Sequence, residues 1–245
     1  MSLAASIQIT DQDVYQISSK QGGEKLGQLA STPSGKVFAY SKNGAADLVA
    51  GKITEPAAVT ANYVTRTLST SFAAGVTQVT VTLGTTATQD SFRGFWFVVT
   101  DGTGKGQGAY QILGNTAATA GTSNATTVEL SGALNVALDN TSVVGIYPNQ
   151  ESAVVVHSAA VAVPVAGAPV VPVTAAYYFW NQVQGMASIL SDGAITKNAG
   201  AIASDAVAGA VEIEVAGTVT QRVGYAPELT VDTKYSPLVL TLVGL

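Results

Sequence analysis

Between residues 174 and 190 the chain alternates with a period of two. Thr174, Ala176, Tyr178, Trp180, Gln182 and Gln184 fall on one side, and Ala175, Tyr177, Phe179, Asn181 and Val183 on the other. Alternation of this kind is strand geometry, because a helix brings side chains back to one face every 3.6 residues. Gly185 interrupts the pattern, residues 186–190 resume an apolar run, and Asp192 with Gly193 forms a turn signal. The stretch predicts a strand, a bend at Gly185 and a second strand, central to the C-terminal half. Its rings carry weight out of proportion to their number, since Phe, Tyr and Trp bury about 150–250 Å² each. Gln182 and Gln184 mark a polar face, and Gly185 a bulge or a close backbone approach.

The same periodicity recurs elsewhere. Residues 63–68, 75–83, 92–100, 109–113, 126–130 and 142–147 read as strands separated by Gly-rich turns, the pattern of a sandwich or barrel. Pro148, Asn149, Gln150 and Glu151 read as a joint. Beyond it, residues 153–156, 161–165, 170–173, 209–215, 219–223 and 238–242 are further strand candidates. In 211–215, Val211, Ile213 and Val215 oppose Glu212 and Glu214, as in a half-buried strand. The Ala-rich run at 199–208 lacks an apolar stripe and is not read as helix. Residues 1–55 are different. They hold Lys20, Lys25, Lys36, Lys42 and Lys52, loop signals at 21–25 and 32–36, a short strand at 36–41 and a helical turn at 45–50 ended by Gly51. The expected fold is mainly β, a β-sandwich or β-barrel body in two β subdomains with an extended N-terminal arm. The expected division is an arm at 1–55, a β subdomain at 56–148 and a C-terminal β subdomain at 149–245.

Charge narrows the function classes. Only 11% of residues are Asp, Glu, Lys or Arg, against roughly 25% in ordinary soluble proteins. A surface of Thr, Ser, Asn, Gln and Gly desolvates at far less cost than a charged one. That composition favours a chain packed against neighbours. A net charge of -5 argues against nucleic acid, whose binders cluster Lys and Arg. The chain has no cysteine, so disulfides and thiolate metal sites are excluded. The first residues lack a basic and then apolar leader, which predicts folding in a cytoplasm. Residues 152–180 carry no charged side chain, but Pro164, Pro169 and Pro172 would break a helix there, so no membrane span is expected.

No motif carries chemistry. Gly102, Gly104, Gly106 and Gly108 around Lys105 miss the phosphate-loop spacing, because Gly106 rather than Ser or Thr follows the lysine. A hairpin connection with positive φ accounts for them. His157 is the sole histidine, no G-x-S-x-G elbow supports a triad, and it reads as a lone surface or edge histidine. The acids are scattered (Asp11, Asp13, Asp90, Asp101, Asp139, Asp192, Asp205, Glu212, Glu214 and Asp232), and Asp11 with Asp13 lacks the offsets of a calcium loop. A sugar site would have only Trp96 and Trp180 as tryptophan platforms. No catalytic residue, cofactor or metal site is expected.

Three stretches together carry a family likeness: GKVFAYSKNG at 35–44 with AGKI at 50–53, FRGFWFVVTDGTGKGQ at 92–107 leading to Tyr110, Gln111 and Ile112, and YYFWNQVQG at 177–185. With these the chain resembles the capsid decoration (cement) and minor head proteins of tailed bacteriophages. The resemblance implies a β-rich, often trimeric protein on the capsid exterior that clamps major capsid protein subunits, with no catalytic residues to carry over. The expected function is therefore a structural virion protein that stabilises the lattice, localised to the virion, with the major capsid protein and further copies of itself as partners. A β-rich fibre or carbohydrate-binding module is the alternative. A hydrolase using the scattered acids is a third reading.

Overall fold

The computed structural model describes residues 6–160, 163–215, 217 and 221–242. The strand expectations at 161–165 and 219–223 fall partly outside them. The strands of the first stretch are β1 (Ile7–Gln8), β2 (Leu29–Ser31), β3 (Val37–Lys42) and β4 (Thr54–Glu55). Next come β5 (Arg66–Thr67), β6 (Gln78–Thr82), β7 (Trp96–Asp101), β8 (Ala109–Asn115), β9 (Ala125–Leu130) and β10 (Val143–Tyr147). The last stretch supplies β11 (Val155–Val156), β12 (Ala168–Pro169), β13 (Tyr178–Leu190), β14 (Gly200–Ala203), β15 (Val211–Ile213), β16 (Arg222–Tyr225) and β17 (Tyr235–Thr241). The fold is mainly β, and its contacts divide into two units, 1–57 with 150–245, and 58–149. The second division falls between Asn149 and Gln150, inside the joint read from the sequence.

In the first unit the sheet runs β1-β2-β3-β13-β17-β16-β14-β15, with β12 also paired to β13 and β11 pairing β4 separately. Its spine is β13, 13 residues long. Tyr178 to Gln184 lie antiparallel to β3, and Gln184 to Leu190 lie antiparallel to β17. The change of partner falls at Gly185, whose φ is +93° and where a Cβ would stand 3.3 Å from the Lys36 Cα. The register against β3 slips between Gln182 and Gln184. The bulge thus falls at Val183, two residues before the close approach at Gly185.

Both faces of β13 are covered before the bend. Trp180 packs with Val14, Ala30, Phe38 and Tyr40 on one side, and Phe179 with Leu48, Val154, Ala166 and Val173 on the other. Ile189, past the bend, belongs to a third cluster with Ile53, Val211, Val223, Leu238 and Leu240. A strand covered on both sides has no polar face. Gln182 is accordingly 1% exposed rather than solvated. Its amide nitrogen donates to the carbonyls of Gln184 (3.2 Å) and Met186 (3.0 Å), the two groups that the bend at Gly185 turns toward it.

The extended arm is shorter than the expected 1–55. Residues 9–28 run mainly as turns and irregular backbone with one 3-10 turn (Asp13–Tyr15). From residue 29 the chain enters the sheet, and β3, with Phe38, Ala39, Tyr40 and Ser41 buried, pairs directly with β13. Apolar side chains of β3 meet covering groups on both faces, which a search for a single apolar stripe does not reveal. The helical turn expected at 45–50 is also absent. Leu48 pairs with Val173 instead (N–H to carbonyl 2.8 Å), while the Asn43 amide nitrogen donates to the carbonyls of Ala46, Val173 and Thr174, and Asp47 accepts from the Ala175 N–H (2.8 Å). Side chains that bond backbone in this way compete with a helix. The strand expected at 170–173 shrinks to that single bridge at Val173, and pairing with β13 moves to Ala168 and Pro169.

The second unit is a six-stranded sheet in the order β5-β10-β7-β8-β9-β6, which curls until it nearly closes as a barrel. Period two decides its inside. Val79 and Val81 of β6, Phe97 and Val99 of β7, Tyr110 and Ile112 of β8 and Val128 and Leu130 of β9 fill one core. Thr80 and Thr127 face outward and share a hydroxyl contact of 2.9 Å across the strands. At the end of β8, Asn115 accepts from the Phe92 N–H and donates to the Thr88 carbonyl, holding the loop before β7. That loop uses residues 92–95, so the strand expected from residue 92 begins at Trp96.

Residues 102–108 connect the paired strands β7 and β8, with φ of +70°, +84°, +72° and +124° at Gly102, Gly104, Gly106 and Gly108. Gly102 is the constrained one: a Cβ there would lie 1.8 Å from the Thr141 carbonyl oxygen. Gly102→Ala is expected to destabilise this unit by about 3 kcal/mol, combining positive-φ strain with backbone displacement. Gly106→Ala, whose Cβ meets nothing within 4 Å, should cost only the φ penalty of about 1 kcal/mol. Urea unfolding of the two variants side by side separates the terms. Equal losses would mean the Thr141 contact contributes nothing.

Candidate functional site

Among the described residues no three His, Asp or Glu side chains gather as a metal-ligand group, and no helix is long and apolar enough to cross a membrane. Most of the scattered acids instead organise loops. Asp13 accepts from the Thr10 N–H and hydroxyl (both 2.8 Å), which hold its carboxyl below the usual range. Asp139 is lowered in the same way by Thr141 and Thr103. Asp192 accepts from Ser204 (2.5 Å), Asp232 from the Gly193 N–H (2.8 Å), and Glu214 from Arg222 (2.8 Å from Nε). Burial raises Glu212, with the Asp205 and Asp192 charges adding to it.

His157 is not the surface or edge residue that its sequence context suggests. It is 1% exposed, because its ring lies under the loop that follows β11. Nε2 sits 3.0 Å from the Val163 carbonyl, and Nδ1 faces Glu55 at 3.9 Å. Glu55 also accepts from the N–H and hydroxyl of Ser158, each 2.8 Å. The serine and the imidazole both address one carboxylate. This order ties a loop down and does not activate a nucleophile.

Beside β13 lies a polar seam that sequence reading did not single out. The Asn181 amide nitrogen donates to Thr54 (3.0 Å), the Thr54 hydroxyl donates to the Gly167 carbonyl (3.1 Å), and Glu151 accepts from Ser41 and from the Asn181 side chain. Ser41, Thr54, Glu151 and Asn181 are all buried. Burial, only partly offset by those two hydrogen bonds, pushes the Glu151 carboxyl up to about 7. Its hydrogen-bond partners in this seam are a hydroxyl and an amide.

The tryptophans separate. Trp180 is buried edge-on against Tyr40 at 5.0 Å, with Tyr40 also stacked on Tyr178 at 5.9 Å and Lys42 over the Tyr178 ring. Trp96 stands partly exposed on the outer side of β7. Trp180 belongs to the first unit and Trp96 to the second.

The accessible feature of the first unit is the outer side of β13, β17 and β16. Cross-strand register aligns Met186, Val239 and Tyr225 in one row, Ser188 with Pro237 in the next, and Leu190 with Tyr235 beyond. Met186 and Tyr235 are each 49% exposed and Tyr225 41%. A cleft of about 640 Å³ opens at the β13 side, walled by Tyr15, Pro169, Val170, Met186 and Tyr235, with Lys36 the charged residue of its lining among the described residues. Strands with one solvated side normally place polar residues there. This face sets Met186, Val239, Tyr225 and Tyr235 around Ser188 instead, and clustered exposed apolar side chains commonly mark interaction sites. No protein family, curated protein or solved structure matches this chain.

Proposed function

We propose that the chain is a structural virion protein that binds the outside of a capsid lattice, contacts the major capsid protein and stabilises the assembled shell. The observation that carries this reading is the outer side of a sheet that presents Met186, Val239, Tyr225 and Tyr235, in a chain of which only 11% is charged. Such a surface loses little on desolvation and gains on contact. A protein that binds only the assembled lattice stabilises it by mass action, by ~3 kcal/mol per site at a hundredfold excess over the dissociation constant. Homotrimers at three-fold positions fit this role.

The purified chain is expected to co-sediment with expanded capsids and to raise their rupture temperature. Capsids whose rupture temperature is unchanged at saturating protein would end the proposal. A second reading, a carbohydrate-binding or fibre module, is favoured by the half-exposed rings of Tyr15 and Tyr235 at the cleft. Binding on a glycan array, with no capsid association, would put it first.

A further inference from the structure

The first unit has a second hollow, of about 390 Å³, between the N-terminal arm and the aromatic side of β3 and β13. Its lining is of two kinds. Tyr40, Tyr178 and Trp180 supply rings, Asp13 and Glu24 supply carboxylates, and no Lys, Arg or His lines it among the described residues. We propose that this hollow binds an organic cation, an alkylammonium group held by the rings and the carboxylates together.

Strand register gathers the rings. Trp180 stands opposite Tyr40 and Tyr178 opposite Lys42, so all of them project from one side of the sheet. The face of an aromatic ring is electron-rich and attracts a cation. This group already shows that preference, because the Lys42 ammonium lies 5.4 Å from the Tyr178 ring centroid without entering the lining of the hollow. The carboxylates add to it. Asp13 spends one oxygen on the Thr10 N–H and hydroxyl, which hold its carboxyl below the usual range and therefore charged at neutral pH. Glu24 is half-buried, and among the described residues its carboxylate accepts no hydrogen bond and forms no ion pair. Its charge reaches the rings: burial chiefly, and the Glu24 carboxylate after it, raises the Tyr40 hydroxyl. A half-buried carboxylate without a counter-ion carries a desolvation cost that a bound cation offsets. An anion would be repelled by both acids. A metal ion asks for more oxygen ligands than two carboxylates supply, and rings offer it none. An alkylammonium group uses both kinds of wall, its apolar substituents against the rings and its charge toward Asp13 and Glu24.

The test is isothermal titration of the purified full chain, without capsids, using choline and its neutral isostere, in which a tert-butyl group replaces the trimethylammonium. Choline is expected to bind saturably and about tenfold more tightly than the isostere, with an affinity that falls as salt is raised. Glu24→Gln keeps the shape, removes one charge and should weaken choline about fivefold. Tyr178→Leu removes one ring and should weaken it about tenfold. Circular dichroism establishes that both variants are folded. Nα-acetyl-lysine amide separates the two sources of such a cation. Binding as tight as that of choline assigns the hollow to a lysine side chain of a partner, and binding of choline alone assigns it to a free small molecule. Absence of saturable choline binding overturns the proposal, and so does equal binding of choline and its neutral isostere, the behaviour of a pocket for uncharged ligands. Choline affinity unchanged in both Glu24→Gln and Tyr178→Leu overturns it as well, because the cation would then sit elsewhere. Each of these results is independent of capsid association, so failure here spares the proposed function.

Discussion

Phe179→Ala is expected to cost the first unit about 4 kcal/mol, in the range for removing a fully buried aromatic ring. Phe179 is 1% exposed and sits on the spine strand between the pairings to β3 and β12. Its ring closes the cluster of Leu48, Val154, Ala166 and Val173, residues drawn from three separate stretches of chain. Strand backbones on either side limit how far the hollow can collapse, which places the cost toward the upper part of that range. Phe179→Leu should cost less than half as much, since most of the volume remains. The unit of residues 58–149 has its own core, so its unfolding transition should not move. Denaturant unfolding followed by tryptophan fluorescence reads both units, because Trp180 lies in one and Trp96 in the other. A loss under 1 kcal/mol would show that the cluster is loosely packed.

The second large effect concerns Glu151. Its carboxyl titrates at about 7 in the folded chain, against 4.5 for the free group. Below pH 4.5 both states hold the proton and the residue costs nothing. Between 4.5 and 7 the unfolded chain releases its proton while the folded chain keeps it, so stability falls as pH rises. Above 7 the loss is complete. Over a gap of about 2.5 pH units the total is about 3 kcal/mol. Glu151→Gln keeps the shape and an acceptor for Ser41 but removes the titration. At pH 8 the variant should be more stable than the parent by about 2 kcal/mol, with the advantage vanishing near pH 4.5. Thermal unfolding across pH 4.5 to 8.5 reads this directly. Parallel curves for parent and variant would mean that Glu151 is not the group responsible.

Much of the framework was legible in the chain. Period two at 174–190, with one glycine out of step, foretold β13 and its bend. Alternating Val79 and Val81, and the Gly-rich connection at 102–108, foretold strands and a hairpin of the second unit. These are local properties: pleat, φ preference and turn chemistry depend on neighbours a few residues away. Less legible were the strands whose reason lies far along the chain. Gly200 to Ala203 become β14 because β15 and β16 flank them, and nothing within that run announces it.

The candidate site divides the same way. Low charge announced a surface suited to contact, but not where the contact face lies. Met186 and Ile189 look alike in a linear apolar run. Only the pairing with β17, which buries Ile189 with Leu238 and leaves Met186 beside Val239 outside, tells them apart. Gln182 and His157 misled for the converse reason. Polar side chains read as solvated until tertiary structure supplies carbonyl partners for their nitrogens in the interior. The sequence by itself determined that this is a β protein of low charge with a central strand region within 174–190. Tertiary structure alone decided which polar groups are buried and which apolar ones face water, because burial is a property of partners distant in the chain.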